Sequence, residues 1–293
     1  MTGDGGILLL DKPQGPTSHD LVARTRRSLG TRKVGHAGTL DPMATGLLIL
    51  GVDGSTRLLT YLVGLGKEYT ATIRLGQATT TDDAEGELLA EADTSQVAIP
   101  AVENAVAGLT GTIRQVPSTF SAIKVEGRRS YDRARAGEEV QLAAREVTVS
   151  AFDVLATRRD GTVLDLDVRV NVSSGTYVRA LARDLGAALG VGGHLTALRR
   201  TAVGPFGIDE AVSPDDDLAS ALVAPADVAR RLFPVAQLDD DQAVALAHGK
   251  RVPLEVADAP VVAAVAPGGR LAGLVIVQDG RARVLVNFPT PLR

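Results

Sequence analysis

The chain lacks cysteine and tryptophan, and it has few other aromatic residues. Its 293 residues include four Tyr and five Phe. Without cysteine there is no disulfide framework, no thiolate nucleophile and no cysteine-ligated metal. No apolar run reaches the roughly 18 residues of a membrane span, and residues 1–11 lack the basic region and long apolar stretch of a signal peptide. These absences predict a globular, cytoplasmic protein with no membrane association.

Common signatures of phosphate, metal and serine chemistry are also missing. The sequence contains no G-x-x-x-x-G-K-[ST] run, and no G-x-G-x-x-G follows a predicted strand. The four histidines form no H-x-x-x-H pair, and G-x-S-x-G does not occur. We therefore expect no metal and no cofactor, and an aspartate is the best candidate for a nucleophile.

Charge is unevenly distributed along the chain, although the formal net charge is only −4. Residues 11–40 hold six basic and two acidic side chains, residues 111–145 hold seven and four, and residues 174–200 hold four and one. Residues 79–103 carry seven acidic side chains and no basic one, and residues 210–241 carry eight and two. The basic segments suit a surface that follows a phosphate backbone, but scattered solvated faces explain the charges equally well.

The order of predicted elements favours an α+β fold with a mixed, largely antiparallel sheet over a doubly wound parallel sheet. Residues 67–75 alternate between apolar and polar, which predicts a half-buried strand, and residues 178–189 form the strongest amphipathic helix. Residues 147–156 and 163–172 read as paired strands joined by a turn at 158–161.

A composition change predicts two domains, residues 1–230 and residues 231–293. Acidic, polar stretches follow Phe206 and mark the transition. The tail has short strand-like runs separated by Pro267-Gly268-Gly269 and Asp279-Gly280, which are hairpin-turn signals. The second domain is therefore predicted to be small and mostly β.

One glycine-rich loop carries the strongest chemical signal. Gly35 and Gly38 flank His36, so the backbone can turn tightly there. Asp41 precedes Pro42 at the junction with a predicted strand, where a carboxylate is placed to act as a nucleophile or general base. The alternative is that Asp41 only caps the turn, which is the commoner role of an Asp-Pro pair.

The run from Gly35 to Gly46 resembles the catalytic motif of the TruB family of tRNA pseudouridine synthases, with Ala37 where that family usually has Thr. Further stretches resemble other motifs of the family, in the same order and over roughly residues 5–205. They are residues 8–18, 67–69, 74–76, 79–86, 117–124, 127–131, 175–179 and 198–200. Such ordered agreement is far more specific than any single motif.

The resemblance implies a catalytic domain of pseudouridine synthase type with an RNA-gripping insertion at about 117–145, followed by a small PUA-like domain. It also implies an isomerase that converts uridine 55 in the T loop of tRNA to pseudouridine, by base flipping, C–N cleavage and C–C rejoining, without a cofactor. The compact chain favours a monomer that acts on the tRNA T stem-loop with no obligatory protein partner.

By the same resemblance, Asp41 is the catalytic carboxylate, Arg179 is the guanidinium that keeps it ionised, and Tyr69 stacks on the flipped base. Asp41 attacks the base, attacks the sugar carbon or abstracts a sugar proton, and the sequence leaves these three roles open.

Other residues are predicted to bind substrate. Tyr177 and Leu198 match positions that line the base pocket, and His36 matches one that fills the space left by the base. Predicted phosphate contacts are Lys12, Lys124 and Arg199, together with Arg24, Arg26, Arg27, Arg32 and Arg200.

Two other functions use the same scaffold. One is a non-catalytic tRNA-binding or folding module, and the other is a synthase directed by guide RNA and partner proteins. The joint presence of Asp41, Tyr69 and Arg179 argues against the first, because a binder need not keep all three. The absence of long basic tails argues against the second.

Overall fold

The computed structural model describes residues 5–118, 124–125, 128–129 and 142–288. The helices are α1 (Ser18–Leu29), α2 (Leu59–Val63), α3 (Ile99–Gly108), α4 (Val178–Ala188), α5 (Pro225–Leu232) and α6 (Asp240–Ala247), with 3-10 turns at Asp53–Leu58 and Ile208–Glu210. The strands are β1 (Gly6–Lys12), β2 (Val34–His36), β3 (Thr45–Val52), β4 (Lys67–Leu75), β5 (Gln77–Thr79), β6 (Leu88–Glu91), β7 (Gly111–Gln115), β8 (Lys124–Val125), β9 (Arg128–Arg129), β10 (Arg145–Asp160), β11 (Val163–Val172), β12 (Gly193–Val203), β13 (Phe206–Gly207), β14 (Val235–Gln237), β15 (Val252–Pro253), β16 (Ala259–Val265), β17 (Leu271–Gln278) and β18 (Arg281–Asn287).

Within the described residues, nine strands form one sheet in the order β1-β3-β12-β4-β11-β10-β7, with β2 beside β3 and β13 beside β12. All neighbours are antiparallel except β3 and β12, which run parallel. Burial alternates residue by residue along β4, as its sequence pattern predicts. The predicted α+β class with a mixed, largely antiparallel sheet is confirmed.

Local signals in the sequence define the ends of α1. The Thr17 hydroxyl accepts a hydrogen bond from the Asp20 N–H, and the Asp20 carboxylate accepts one from the Thr17 N–H. This capping box satisfies two N–H groups that have no partner within the helix. Gly30 ends the helix in the left-handed conformation at φ 63°. The buried face of α1 covers the sheet next to the loop that contains Asp41.

The parallel pairing of β3 with β12 depends on Gly46. Its φ is +97°, and a Cβ built at this position would lie 2.2 Å from the Arg200 carbonyl oxygen. A side chain would force the two strands apart directly behind the Asp41 loop, so both the conformation and the space require glycine.

We expect Gly46→Ala to destabilise the protein by more than the about 1–3 kcal/mol of backbone strain alone. Gly111→Ala is a matched control, because Gly111 has the same φ of +97° and no atom within 4 Å of its would-be Cβ. Chemical denaturation of both variants measures the difference. Equal loss in the two would show that the close contact at Gly46 has no energetic importance.

The strand β10 extends further than the sequence predicted. Its pairing with β11 continues to Asp160, so the predicted turn at 158–161 is displaced to 161–162. Arg158 pairs with Asp167 on β11, and Arg159 donates to the carbonyls of Thr94 and Val97. These contacts with Asp167, Thr94 and Val97 keep the two arginines in strand conformation.

The main sheet buries a hydrophobic core on each face. On one face, Leu8 and Leu10 pack with residues of α1 and α4. On the other face, Ile7 and Leu9 join a cluster that includes Leu274 and other residues of the C-terminal sheet. One apolar layer is therefore shared by the two sheets.

The C-terminal strands form a second sheet in the order β14-β16-β17-β18-β15, in which β14 and β16 are parallel. The predicted turns at Pro267-Gly268-Gly269 and Asp279-Gly280 join β16 to β17 and β17 to β18, as expected. The boundary predicted between residues 230 and 231 falls within α5, whose buried residues Val228 and Ala229 belong to the shared core. No helix of the described chain is long and apolar enough to cross a membrane.

Candidate active site

A cavity of about 270 Å³ opens beside the loop that precedes β3. Its walls come from segments that are distant in sequence, because the sheet order brings β4, β12 and the start of α4 next to this loop. It brings together Asp41, Tyr69, Tyr177, Arg179 and Leu198, five of the predicted site residues. A concave site with convergent polar groups and apolar walls is the usual form of a small-ligand pocket.

An ion-pair network lies at the base of this cavity. Arg179 is only 5% exposed, and its Nε lies 3.1 Å from Oδ2 of Asp41. Its Nη1 donates to Oδ2 of Asp83 and to the Thr81 carbonyl, each at 3.0 Å. The guanidinium therefore holds two carboxylates in fixed positions. Asp41 is 38% exposed, so its free side faces the cavity.

Asp83 was not among the predicted site residues. Its side chain is 3% exposed and is held between Arg179 and the turn at Thr81, whose hydroxyl donates to it at 2.5 Å. The charge map grouped it with an acidic segment, 79–103, and the motif match at 79–86 was the only signal that could have identified it.

Burial raises the pKa of Asp41 above the ordinary aspartate value of 3.8. The Arg179 guanidinium opposes this effect, Asp83 adds to it, and the Lys12 ammonium opposes it. Although one face of the carboxylate is open to the cavity, protein surrounds its other sides, so desolvation has the largest influence.

The raised pKa of Asp41 predicts a pH-dependent rate. Every chemical role open to Asp41 needs the ionised form, so the rate should fall as pH decreases through a value above 3.8. Single-turnover rates measured across the acidic range, with circular dichroism to confirm folding, check this. A rate that stays constant until the protein unfolds would contradict an ionised Asp41 as the essential group.

Tyr69 and Leu198 form the sheet side of the cavity. They lie on β4 and β12, which are neighbours, and their side chains are 9% and 8% exposed. Tyr177 faces them from the segment before α4. Two aromatic rings and one aliphatic side chain around an open space suit a planar ring.

Arg145 also lines the cavity, although only its charge was noted in the sequence. Its guanidinium lies 4.9 Å from the centre of the Tyr177 ring and donates to the Gly175 carbonyl. The cation packs over the ring and limits its movement. Arg145 lies at the start of β10, which pairs with β7. This position was the signal that could have identified Arg145 as a site residue.

His36 lies on β2, outside the residues that line the cavity. Its ring makes an edge contact with His19 at 5.8 Å, and burial lowers its pKa. Its Nδ1 is buried without a hydrogen-bond partner among the described residues. The predicted contact of His36 with the T loop stays a prediction.

The structure does not support the predicted RNA contact of Lys12. This side chain is fully buried, and its Nζ donates to the carbonyls of Ala44, Pro13 and Pro42 at 2.6, 3.0 and 3.2 Å. Burial lowers the pKa of Lys12 to about 8. All three acceptors are backbone carbonyls, two of them in the segment that follows Asp41, so no donor is left for a phosphate.

Arg200 is a second basic residue whose predicted phosphate contact is corrected. It is 1% exposed, and it donates to the carbonyls of Leu47 and Gly38 at 2.6 and 3.2 Å. Charge counting could not distinguish it from Arg199, which is half-exposed and binds Asp11 through two hydrogen bonds of 2.9 and 2.7 Å. The side chain of Lys124 lies outside the described part of the chain, as do residues 119–123, 126–127 and 130–141 of the predicted insertion.

Lys67 is a cavity residue to which the sequence analysis assigned no role, although it begins the motif stretch 67–69. Its Nζ donates to the carbonyls of Val63 and Leu65, each at 2.6 Å, and burial lowers its pKa to about 8. It lies two positions before Tyr69 on the same face of β4, so strand periodicity was the signal that could have found it. In the part of the chain that is described, no group of three or more acidic or histidine side chains is arranged to hold a metal ion.

Three family models together match most of the chain. One described as "TruB family pseudouridylate synthase (N terminal domain)" matches residues 26–178. Those described as "tRNA pseudouridylate synthase B C-terminal domain" and "tRNA Pseudouridine synthase II, C terminal" match residues 179–239 and 233–289. The matched regions therefore include the C-terminal sheet and all strands of the main sheet except β1.

Similar proteins and structures agree with these matches. The tRNA pseudouridine synthase B of Leifsonia xyli subsp. xyli is 58% identical over 97% of this chain and 96% of its own length. The tRNA pseudouridine synthase B of Thermobifida fusca is 53% identical over 97% of this chain and 98% of its own length. A chain from a crystal structure of a Cbf5-Nop10-Gar1 complex is 27% identical, with a TM-score of 0.74 over 99% of this chain and 87% of its own. The ordered motifs, the family models and relatives of this identity show that the chain belongs to the TruB family of pseudouridine synthases.

Proposed function

We propose that the chain isomerises uridine 55 in the T loop of tRNA to pseudouridine, at the cavity that holds Asp41. One observation carries the assignment: a single carboxylate, paired with a buried arginine, faces a cavity with aromatic walls. Its volume of about 270 Å³ lies below the roughly 300–1,000 Å³ of drug-sized ligand sites, which suits one flipped base. The names of the similar enzymes support tRNA as the substrate.

The reaction balances without any other reactant. The bond from sugar C1′ to uracil N1 breaks, the bond from C1′ to C5 forms, C5 loses a proton and N1 gains one. Asp41 starts this sequence by attacking the base, attacking C1′ or abstracting a sugar proton. The Arg179 ion pair favours the ionised carboxylate that each route needs, and it aims the free oxygen at the cavity.

The cavity walls would replace the stacking that the base loses. A base inside a folded loop must be extruded before a side chain can reach it. Stacking on an aromatic ring is worth about 1–3 kcal/mol per base. We assign this role to Tyr69, with Tyr177 and Leu198 completing the pocket.

The direct test uses an unmodified tRNA transcript labelled with tritium at uracil C5. Rejoining through C5 releases that proton, so tritium should enter water with one equivalent per tRNA. A transcript with cytidine at position 55 is the control and should release none above background. Equal release from both transcripts would exclude uridine 55 as the target, and no release from either would exclude the activity.

We also propose that the enzyme acts alone in the cytoplasm, as a monomer. The chain covers 96–98% of the length of the two similar synthases described above. The structural neighbour comes from a complex with Nop10 and Gar1. Turnover by the purified chain, with its mass measured by light scattering, tests the proposal. A need for added protein, or activity only in a dimer fraction, would contradict it.

A further inference from the structure

We propose that Gln115 is a positioning residue of this site, an inference that rests on the proposed function. Gln115 ends β7 and has no exposed surface. Its side-chain amide binds both backbone polar groups of Tyr177: Oε1 accepts from the Tyr177 N–H at 2.9 Å, and Nε2 donates to the Tyr177 carbonyl at 3.1 Å. It does not line the cavity, so it acts through Tyr177.

The first of these bonds satisfies the backbone N–H at the start of α4, which no side chain of the helix itself binds. Tyr177 is the N-cap residue, in extended conformation, and no side chain caps the helix. In a capping box, a Glu or Gln at the third helical position accepts from the N-cap N–H. Ala180 occupies that position here and has no acceptor. Gln115 supplies the missing acceptor from a neighbouring strand.

Fixing this helix start positions two functional side chains at once. The ring of Tyr177 forms a cavity wall, and Arg179, two residues later, holds Asp41. Arg145 supports the same segment, since it lies opposite Gln115 in the β7–β10 register and contacts the Tyr177 ring. Gln115 therefore links the sheet edge to both the base pocket and the catalytic carboxylate.

The test is Gln115→Met, which preserves side-chain length and removes both hydrogen bonds. The partly buried Tyr177 N–H is then left without its acceptor, so α4 should begin in a shifted position. Because a misplacement of about 1 Å can lower a rate about 10²-fold, we expect the single-turnover rate per folded enzyme to fall roughly 10–100-fold. Affinity for a T stem-loop should change less than about twofold, because phosphate contacts dominate RNA binding.

Gln242→Met is a matched control. Gln242 also accepts from a backbone N–H, that of Asp239, and donates to a backbone carbonyl, that of Pro253, each at 3.0 Å. It lies on α6, away from the cavity, and should leave the rate unchanged. Gln115→Glu keeps the acceptor for Tyr177 but places a carboxylate against its carbonyl, so its rate should lie between those of the wild type and Gln115→Met.

A wild-type rate in folded Gln115→Met would overturn the proposal, because a merely structural residue lowers the melting temperature and not the rate per folded enzyme. If Gln115→Met does not fold, Gln115→Glu decides by the same criterion. Inactive wild-type protein would refute the proposed function, not this inference. In that case crystal structures of the wild type and the variant decide: an unmoved Tyr177 overturns the positioning role.

Discussion

Replacing Asp41 by Asn is expected to abolish pseudouridine formation, with no tritium release above background. Asparagine keeps the shape of the side chain, but it cannot attack as a carboxylate or accept a proton at neutral pH. Among the described residues that line the cavity, Asp41 is the one carboxylate, and its neighbour Asp83 is 3% exposed and already bound by Arg179. Residual turnover at the wild-type rate would remove Asp41 from the mechanism.

The same variant should be at least as stable as the wild type at neutral pH. The pKa of Asp41 is higher in the folded protein than its ordinary value, so its ionised form opposes folding. This cost is absent at acidic pH, where the carboxyl is protonated in both states, and it develops as pH rises. Asn carries no charge, so the melting temperature of Asp41→Asn should match or exceed the wild type at pH 7.

Asp153→Asn is the matched control for Asp41→Asn. Asp153 pairs with Arg169, and both side chains are 47% exposed. Its removal should change neither turnover nor, beyond a few tenths of a kcal/mol, stability. A large stability loss in Asp41→Asn, with none in Asp153→Asn, would contradict this expectation. It would show that the ion pair of Asp41 with Arg179 stabilises the fold by more than the burial of the carboxylate costs.

Arg179→Ala should lose both activity and stability. The substitution leaves the buried Asp83 without its cation and removes the partner that keeps Asp41 ionised. Breaking a buried ion pair by removing one partner typically costs about 3–5 kcal/mol. Turnover should fall to background, because Asp41 loses the group that orients it and that favours its ionised form. Denaturant unfolding and tritium release measure the two effects.

The pH dependence of Arg179→Ala separates charge burial from lost packing. Burial raises the pKa of Asp41, and its protonation removes the charge that lacks a partner in the variant, so the stability loss should be smaller at acidic pH than at neutral pH. Adding Asp83→Asn should restore part of the stability and none of the activity. Arg183→Ala, one turn further along α4, is the control; its side chain is 31% exposed, against 5% for Arg179, so its loss should cost less stability. Equal losses at both pH values would show that packing dominates.

The sequence predicted which residues come together around the cavity, because its motifs carry both residue identity and order. Asp41, Tyr69 and Arg179 are far apart in the chain, yet the sheet places all three around one space. Local rules also predicted α1 from its Thr17 cap and the C-terminal hairpins from their turn residues. The helix cap and the hairpin turns depend on short-range chemistry that is visible in the sequence.

Features that depend on tertiary contacts could not be predicted in this way. Lys12 and Arg200 have the charge of phosphate-binding residues, but packing buries them under the Asp41 loop, where carbonyls bind them. Asp83 belongs to an acidic segment, and only the fold brings it to Arg179. The amide of Gln115 gives no sequence signal either, because its partner Tyr177 lies 62 residues away.

The apolar layer between the two sheets has a consequence for how the chain folds. Leu274 of the C-terminal sheet and Phe288, which follows β18, pack in the same cluster as Ile7 and Leu9 of β1. Arg57 donates to the Asn287 carbonyl at 2.8 Å. Neither the main sheet nor the C-terminal sheet buries this apolar face without the other. The chain should therefore unfold in one cooperative transition. A fragment without the C-terminal sheet would expose this apolar face and should self-associate.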